Sequence, residues 1–226
     1  MLFYLKDENI ELKNIKGVAE KRENALNLSG IFSLYDLFLH IPKSYEDRTE
    51  ITDVATITEN RYAGIIVNVT SEPKIRYLKN KKSIVTVNAE SGGKKGVITI
   101  FNIPYSANMF AAGKQYYIYG YVAVDKTPAF QIINPKTIRE NTDVSSILKI
   151  YSDYKIPADI SLTQSVIRSI VQNAFISYGD LICDILPEDI KNEYGLPDIK
   201  QSLYNLHFPN NKTEIIQARK RLAFDE

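Results

Sequence analysis

The chain has 226 residues, of which 44% are hydrophobic and 24% charged, the composition of an ordinary globular protein with one large domain or two small ones. Its formal net charge is only +1, so any nucleic-acid surface has to be a local patch. Its single cysteine, Cys183, excludes an intramolecular disulfide, and because no signal peptide or membrane-spanning run is present, we expect a cytoplasmic protein with no membrane partner.

Residues 1–50 have a helical pattern. Helices are predicted at 20–28 and 33–40, with glycine turns at Gly17 and Gly30 and a serine as the N-cap of the second helix. Glycine turns beside basic residues occur in helix-hairpin-helix elements, whose helix-start N–H groups hold nucleic-acid backbones. The spacing alone favours the alternative, a helical hairpin that only caps a domain, because glycine turns are common.

The next part of the chain changes from helical periodicity to the alternation that is typical of strands. Five β-rich runs are separated by turn signals, and Gly92-Gly93 predicts a tight hairpin between the second and the third. In the fourth run Tyr117, Tyr119 and Tyr121 lie on one face, which predicts a half-buried antiparallel strand. The five predicted strands are 62–70, 83–90, 95–101, 116–124 and 130–138.

A short helix is predicted at 105–112, between the third and fourth strands, and ends at Gly113. Five strands with a helix in this place follow the order of an OB-fold barrel, which binds oligonucleotides on strands two and three and on two of its loops. A generic five-stranded sandwich is the alternative, and the inserted helix favours the OB-fold. The predicted fold class is therefore mainly β with flanking helices (α+β).

The rest of the chain is predicted to be a polar linker at 139–146 followed by helices. These helices are predicted at 161–176, 187–194, 198–206 and 213–224. The predicted domains are a helical segment at 1–50, an OB-fold at 51–140 and a helical connector at 141–226. The last nine residues continue a helical pattern without a stop signal, so we expect the chain to be part of a longer protein.

The strongest electrostatic feature is a cluster of cations in the loop predicted to join the first two strands, with two more at the next hairpin. On an OB barrel these cations flank the nucleic-acid face, where phosphate neutralisation gives an affinity that depends on salt. Most lysine runs are only solvated loops, and the position on a predicted OB-fold is what favours binding here. The cations are Lys74, Arg76, Lys79, Lys81, Lys82, Lys94 and Lys95, with Tyr77 interleaved.

Two aromatic residues, Phe101 and Tyr105, leave the third strand at a point stiffened by Pro104. Rings held in this way can stack on exposed bases, with about 1–3 kcal/mol per base. The alternative is that Phe101 continues the face of Val97 and Thr99 into the core. The pattern alone favours the core.

The sequence does not support an enzymatic site. A phosphate-binding loop needs a glycine five positions before a Gly-Lys pair, and the two pairs in this chain have Asn88 and Asn108 there, with neither pair followed by serine or threonine. The two histidines, His40 and His207, lie far apart in the sequence and belong to no ligand-spaced cluster. We therefore expect no catalytic residue, no metal and no cofactor in this chain.

Short motifs follow one another along nearly the whole chain. They are Ile15-Lys-Gly17-Val, Gly30-Ile31, Asp36-Leu37, Pro42 and Tyr45-Glu-Asp47-Arg48, then Phe101-Asn-Ile-Pro-Tyr105, Gly113 and Gly120, and finally Ile150-Tyr151, Leu186-Pro187, Leu206-His207-Phe208-Pro209, Ala218-Arg-Lys-Arg221-Leu222 and Phe224-Asp-Glu226. In this order they resemble the RecG family of ATP-dependent branched-DNA helicases. One departure is Ala19, which stands where the hairpin of the family usually carries a second glycine.

The resemblance implies that the chain is the N-terminal wedge domain of such a helicase, built on an OB-fold. It implies branched DNA as the ligand, namely stalled replication forks and three- and four-way (Holliday) junctions, in recombination and repair. Phe101 and Tyr105 match the two side chains that stack on bases at the branch, which reverses the assignment of Phe101 to the core. The cations would hold the flanking arms by their phosphates.

The resemblance also implies further partners and cofactors. The C-terminal helicase domains of the same protein and a single-strand DNA-binding protein are the expected protein partners, and ATP and Mg²⁺ are expected only in those helicase domains. The chain by itself is then expected to bind branched DNA and to unwind nothing. The alternative function is an OB-fold scaffold or protein-interaction domain with little DNA binding of its own.

Overall fold

The computed structural model describes residues 3–124, 129–140 and 143–224. The chain divides into two compact units: Met1–Glu46 and Ile150–Glu226 form the first, which we call the helical unit, and Asp47–Lys149 forms the second, the barrel unit. The terminal segments, predicted as two separate domains, therefore contribute to one unit. None of the helices in the described ranges has the length and the apolar run that a membrane crossing requires.

Eleven strands and six α-helices are formed by the described residues. The strands are β1 (Phe3–Leu5), β2 (Ser44–Asp47), β3 (Arg61–Val69), β4 (Lys74–Tyr77), β5 (Ser83–Ser91), β6 (Lys94–Phe101), β7 (Gln115–Ala123), β8 (Phe130–Ile133), β9 (Thr137–Glu140), β10 (Ile150–Asp153) and β11 (Ile182–Asp184). The helices are α1 (Glu20–Leu28), α2 (Leu34–Leu39), α3 (Gln164–Tyr178), α4 (Glu188–Tyr194), α5 (Ile199–His207) and α6 (Lys212–Phe224). Short 3-10 helices lie at Leu12–Asn14, Val54–Thr56, Pro104–Met109, Ser145–Ile147 and Gly179–Leu181.

The barrel unit is a closed mixed sheet. β3 pairs with β5 and β7, β5 pairs with β6, and β8 closes the barrel by pairing parallel to β6 and antiparallel to β7. Alternate side chains point inward, and the core they form includes Ile65, Val85, Ile98 and Ile132. The Gly92-Gly93 hairpin is confirmed, with φ of 55° and 72°. This arrangement confirms the predicted OB-fold with flanking helices.

Three predictions in this region are wrong in detail. The fifth predicted strand, 130–138, is two strands, because the left-handed Asn134 (φ 45°) and Pro135, which has no N–H to donate, interrupt the ladder. The predicted linker at 139–146 begins inside β9, which pairs with β7. The helix predicted at 105–112 is the 3-10 helix Pro104–Met109, which starts at the proline and ends before Gly113.

The middle of β7 is buried on both faces, so the predicted half-buried strand is wrong there. Tyr117 is 0% and Tyr119 4% exposed, and only Tyr121 keeps its ring in solvent. The Tyr117 ring occupies space that a side chain at Gly64 would need, since a Cβ there would lie 2.4 Å from its hydroxyl. The guanidinium of Arg48 lies 4.5 Å from the centre of the Tyr119 ring.

The helical unit joins both ends of the chain. β1 pairs with β11 and β2 with β10, and one core contains residues from α1, α2, α3 and α5, including Leu26, Leu37, Ile170 and Leu203. The six helices predicted in this unit are confirmed, with ends that differ by up to three residues. The N-cap serine of α2 is also confirmed, because the Ser33 hydroxyl accepts a hydrogen bond from the backbone N–H of Asp36 at 3.1 Å.

The two histidines lie on either side of Tyr154 in this unit. The His40 and His207 rings stack on the Tyr154 ring at 5.6 and 5.7 Å. His207 Nε2 lies 2.9 Å from the Phe38 carbonyl, which can only accept, so Nε2 carries the proton and Nδ1 accepts from the Tyr154 hydroxyl at 2.7 Å. His40 and His207 are far apart in the sequence, so the sequence alone did not show that they belong to one buried cluster. The hydrogen bonds of this cluster are satisfied when His207 is neutral.

The stability of the helical unit should fall as the pH drops below about 6.5. Burial lowers the pKa of His207 from 6.5 to about 4, with a smaller lowering from His40, against the opposing effect of the Phe38 carbonyl. Between these values the unfolded chain binds a proton that the folded chain excludes, so the contribution is complete above pH 6.5 and is lost as the pH falls through 4. The full loss is about 3 kcal/mol.

Chemical denaturation between pH 4 and pH 8 measures this dependence. His207→Gln is the matched variant, because its amide can donate to the Phe38 carbonyl and accept from Tyr154 without titrating. We expect a smaller slope in this variant, with the remainder due to His40, whose pKa is also lowered by burial. Equal slopes in the two proteins would contradict the assignment.

Candidate nucleic-acid interface

The basic segment between the first two barrel strands is a hairpin arm and not the predicted loop. β4 pairs antiparallel with the start of β5, and the N–H of Leu78 donates to the carbonyl of Lys82 at 2.8 Å. The tip turns through Asn80 and Lys81, both with left-handed φ (61° and 58°). We call residues 74–91 the basic hairpin. Its cations are therefore held on a paired strand and a tight turn, where their positions are defined.

The outer face of the barrel carries Phe101 beside this hairpin. Directly paired residues share a face of a sheet, and Arg76 pairs with Ile84, which pairs with Phe101. The neighbouring positions Ile98 and Ile100 are buried in the core, so the alternate face that ends in Phe101 points to solvent, and Phe101 is 39% exposed. The assignment of Phe101 to the core, favoured by pattern alone, is therefore wrong.

Two asparagines fix the segment 101–105, which we call the aromatic corner. Asn102 has a left-handed φ of 59°, and its N–H donates to the carbonyl of Ser83 at 2.8 Å. Asn134 is also left-handed, and its side-chain oxygen accepts from the N–H of Phe101 at 2.9 Å. Asparagine adopts this region more readily than most residues, which is the one sequence signal that points to them. Tyr105 follows on the 3-10 helix and is 71% exposed.

The structure brings some of the predicted cations to the aromatic corner and leaves others away from it. Arg76 on β4 is in register with Phe101 on β6, with β5 between them, so the two residues are about 10 Å apart at the usual strand spacing. Lys95 lies six residues along β6 from Phe101, about 20 Å away, and pairs with Glu90 on the neighbouring strand. The group near the corner is Arg76, Lys79, Lys81 and Lys82, with Lys74 one row further along, whereas Lys94 and Lys95 occupy the opposite end of the sheet.

A second aromatic surface lies on β3 and β7, away from the basic hairpin, and sequence reasoning missed it. The Tyr62 ring contacts Tyr121 edge-on at 5.4 Å, and the Lys136 ammonium lies 4.8 Å from its centre. Since these rings contact one another and a cation, their exposure is explained within the fold.

In the described ranges no group of three or more histidine, cysteine or carboxylate side chains is placed to hold a metal.

The Gly17 turn is fixed by side chains of its own unit. Arg22 donates to the Gly17 carbonyl at 2.6 Å, and Asn173 of α3 donates to the Lys16 carbonyl at 2.7 Å. The first turn of α1 carries two glutamates, which already complement the positive end of the helix and would repel a phosphate. The turn therefore suits a structural cap better than a phosphate site.

A family model described as the RecG wedge domain matches residues 11–178. Among curated proteins, the ATP-dependent DNA helicase RecG of Bacillus subtilis is 27% identical over 97% of this chain and 31% of its own length. The helicase of the same name from Thermotoga maritima is 28% identical over 97% of this chain and 28% of its own length. The chain thus spans less than a third of the length of these relatives.

A solved structure of RecG bound to a three-way DNA junction has the same fold. It matches 97% of this chain and 30% of the other chain with a TM-score of 0.78 and 23% sequence identity. At this identity the match shows the fold alone. It supports the barrel fold and the helical fold described above.

Proposed function

The chain belongs to the RecG wedge domain family, and we propose that it binds branched DNA, at stalled forks and at three- and four-way junctions, as the junction-recognition module of an ATP-dependent DNA helicase of recombination and repair. The observation that carries this proposal is the exposed pair Phe101 and Tyr105 on a rigid corner beside a basic hairpin. The solved relative with this fold was bound to a three-way DNA junction.

The aromatic corner supplies contacts that distinguish a branch from plain duplex. Bases at a branch can unstack, and an exposed ring that is already held in place loses little entropy when it stacks on one. The basic hairpin supplies phosphate contacts that are independent of sequence. Recognition then follows from DNA shape: duplex offers phosphates only, whereas a branch offers phosphates and unpaired bases.

In this proposal, ATP-driven unwinding belongs to other domains of a longer protein and not to this chain. The curated relatives are ATP-dependent DNA helicases, and this chain spans about 30% of their length. We assign ATP, Mg²⁺ and strand unwinding to the helicase domains of the whole protein, which are then also the partners of this chain. Association with a single-strand DNA-binding protein stays a prediction.

A scaffold or protein-interaction role is the second candidate. It is favoured by the exposed apolar side chains of Ile75, Leu78 and Met109 near the aromatic corner. A protein-docking surface of this kind should be nearly insensitive to salt, because apolar contact does not release counterions. Salt dependence therefore separates the two functions.

Binding to a three-way fork, measured against matched duplex and single strand at several salt concentrations, tests the proposal. We expect preference for the fork and an affinity that falls steeply with salt, with a log–log slope of about −0.9 for each neutralised phosphate. Replacing Lys79, Lys81 and Lys82 by glutamine should make the slope shallower. Weak binding to all three DNAs with a flat salt dependence would favour the scaffold.

The matched control replaces Lys94 and Lys95, at the far end of the sheet, by glutamine. Their predicted place in the DNA-binding set rests on sequence position, and the structure separates them from the aromatic corner. An unchanged slope would restrict the interface to the basic hairpin. A reduced slope would extend it along the whole outer face of β5 and β6.

A further inference from the structure

The basic hairpin carries an aromatic residue that the interface described above does not use. Tyr77 ends β4 and is 70% exposed. It pairs with Ser83, whose carbonyl accepts the hydrogen bond from Asn102, so Tyr77 lies across β5 from the aromatic corner. Successive residues of a strand point to opposite faces, which places Tyr77 on the face opposite to Arg76 and Phe101.

Tyr77 lies on a strand that the 3-10 helix of Tyr105 contacts. The 3-10 helix Pro104–Met109 packs against β4 and β5 and places Ala107 in the barrel core. Tyr105 is the second residue of this helix, with 71% of its surface exposed. Two solvent-exposed tyrosine rings therefore flank the same end of the barrel, one on the hairpin arm and one on the 3-10 helix.

These two rings differ from the other exposed tyrosines of the described chain. Tyr62 and Tyr121 contact each other, Tyr194 contacts Phe224 and Tyr204 contacts Phe175. The remaining exposed tyrosine, Tyr4, hydrogen-bonds Cys183. Within the described ranges, only Tyr77 and Tyr105 of this set have neither a ring contact nor a side-chain hydrogen bond. An exposed ring without an intramolecular partner is available to stack on a base.

The charges around Tyr77 favour a nucleic-acid ligand. Lys79 and Lys82 follow it within the turn, while the described hairpin tip, 78–82, carries no acidic residue. Cations that flank an exposed ring match the alternation of phosphate and base along a single strand.

We propose that Tyr77 is a third base-stacking residue of this chain, which acts with Tyr105 to hold an unpaired strand of the branch on the face opposite to Phe101. This inference rests on the proposed function and deepens it. The ligand is a single-stranded segment of DNA that leaves the branch, with its bases on the two tyrosines and its phosphates on Lys79 and Lys82. The basic hairpin then contributes base contacts as well as charge.

Single-tryptophan reporters test the proposal, because the chain contains no tryptophan. Tyr77→Trp, Phe101→Trp and Tyr121→Trp are prepared separately and titrated with a three-way fork while tryptophan emission is recorded. Stacking on a base quenches tryptophan, so we expect quenching at positions 77 and 101 and none at 121, the exposed tyrosine on the other side of the barrel. Fork affinity should fall about 5- to 150-fold in Tyr77→Ala and stay near the original in Tyr77→Phe.

The outcomes separate this inference from the proposed function. Quenching at 101 with none at 77, and full fork affinity in Tyr77→Ala, would overturn the role of Tyr77 and leave the proposed function in place. No fork preference and no quenching at either position would overturn both. Circular dichroism of each variant checks that the barrel is intact, and the exposure of Tyr77 makes a folding defect an unexpected result.

Discussion

A chain in which Phe101 and Tyr105 are both replaced by alanine is expected to lose most of its preference for a three-way fork over plain duplex. Each ring that stacks on a base is worth about 1–3 kcal/mol, so the pair should account for about 2–6 kcal/mol of fork preference. Duplex affinity should change little, because the phosphate contacts of the basic hairpin remain. The measurement is the ratio of the two dissociation constants at one fixed salt concentration.

The single variants and one control make this result specific. Phe101→Ala and Tyr105→Ala should each remove part of the preference, and their sum need not equal the double variant, because the residues share one corner. Tyr62→Ala on β3 removes an exposed ring from the other aromatic surface and should leave the preference unchanged. If the double variant still prefers the fork as strongly as the original chain, branch recognition does not depend on the aromatic corner.

Local rules were enough for most of the fold. The helices follow from apolar periodicity and from a cap such as Ser33, and the barrel follows from alternating strands and a glycine pair with positive φ. β4 was missed because all four of its side chains are exposed, so its pattern is polar and only the pairing with β5 makes it a strand. The break between β8 and β9 depends on Asn134, whose side chain bonds a strand 33 residues away in sequence.

The candidate site was less accessible to sequence reasoning, for physical reasons. The alternation of side chains places Phe101 on the same face of the strand as Val97 and Thr99, but it does not say which face is buried. A shift of one residue in the strand register moves every side chain to the opposite face. The barrel resolves this by burying Ile98 and Ile100. Likewise, the positions of the lysines along the chain could not show that Lys95 is far from the hairpin tip. The two lie at opposite ends of the sheet because of the direction in which β5 and β6 run.

A buried ionic network holds the last helices of the helical unit together. Asp184 of β11 accepts hydrogen bonds from the backbone N–H groups of Leu186 and Ile199, both at 2.9 Å, and from Arg221 at 2.6 Å. Lys191 lies 3.6 Å from the same carboxylate, and the Arg221 side chain is completely buried. One carboxylate therefore connects β11 with residues of α4, α5 and α6.

Asp184→Ala is expected to destabilise the chain by about 3–5 kcal/mol, because it leaves the buried Arg221 guanidinium without its carboxylate. Asp184→Leu combined with Arg221→Met removes both charges and should recover most of this loss.

Burial alone would raise the pKa of Asp184, but hydrogen bonds from Leu186, Ile199 and Arg221 outweigh it and hold the pKa below its usual value. The stabilisation is thus present above the unfolded pKa of about 3.9 and is lost as the pH falls through the folded value. Urea denaturation at pH 7 measures the effect, and a loss below about 1 kcal/mol, typical of an exposed ion pair, would contradict it.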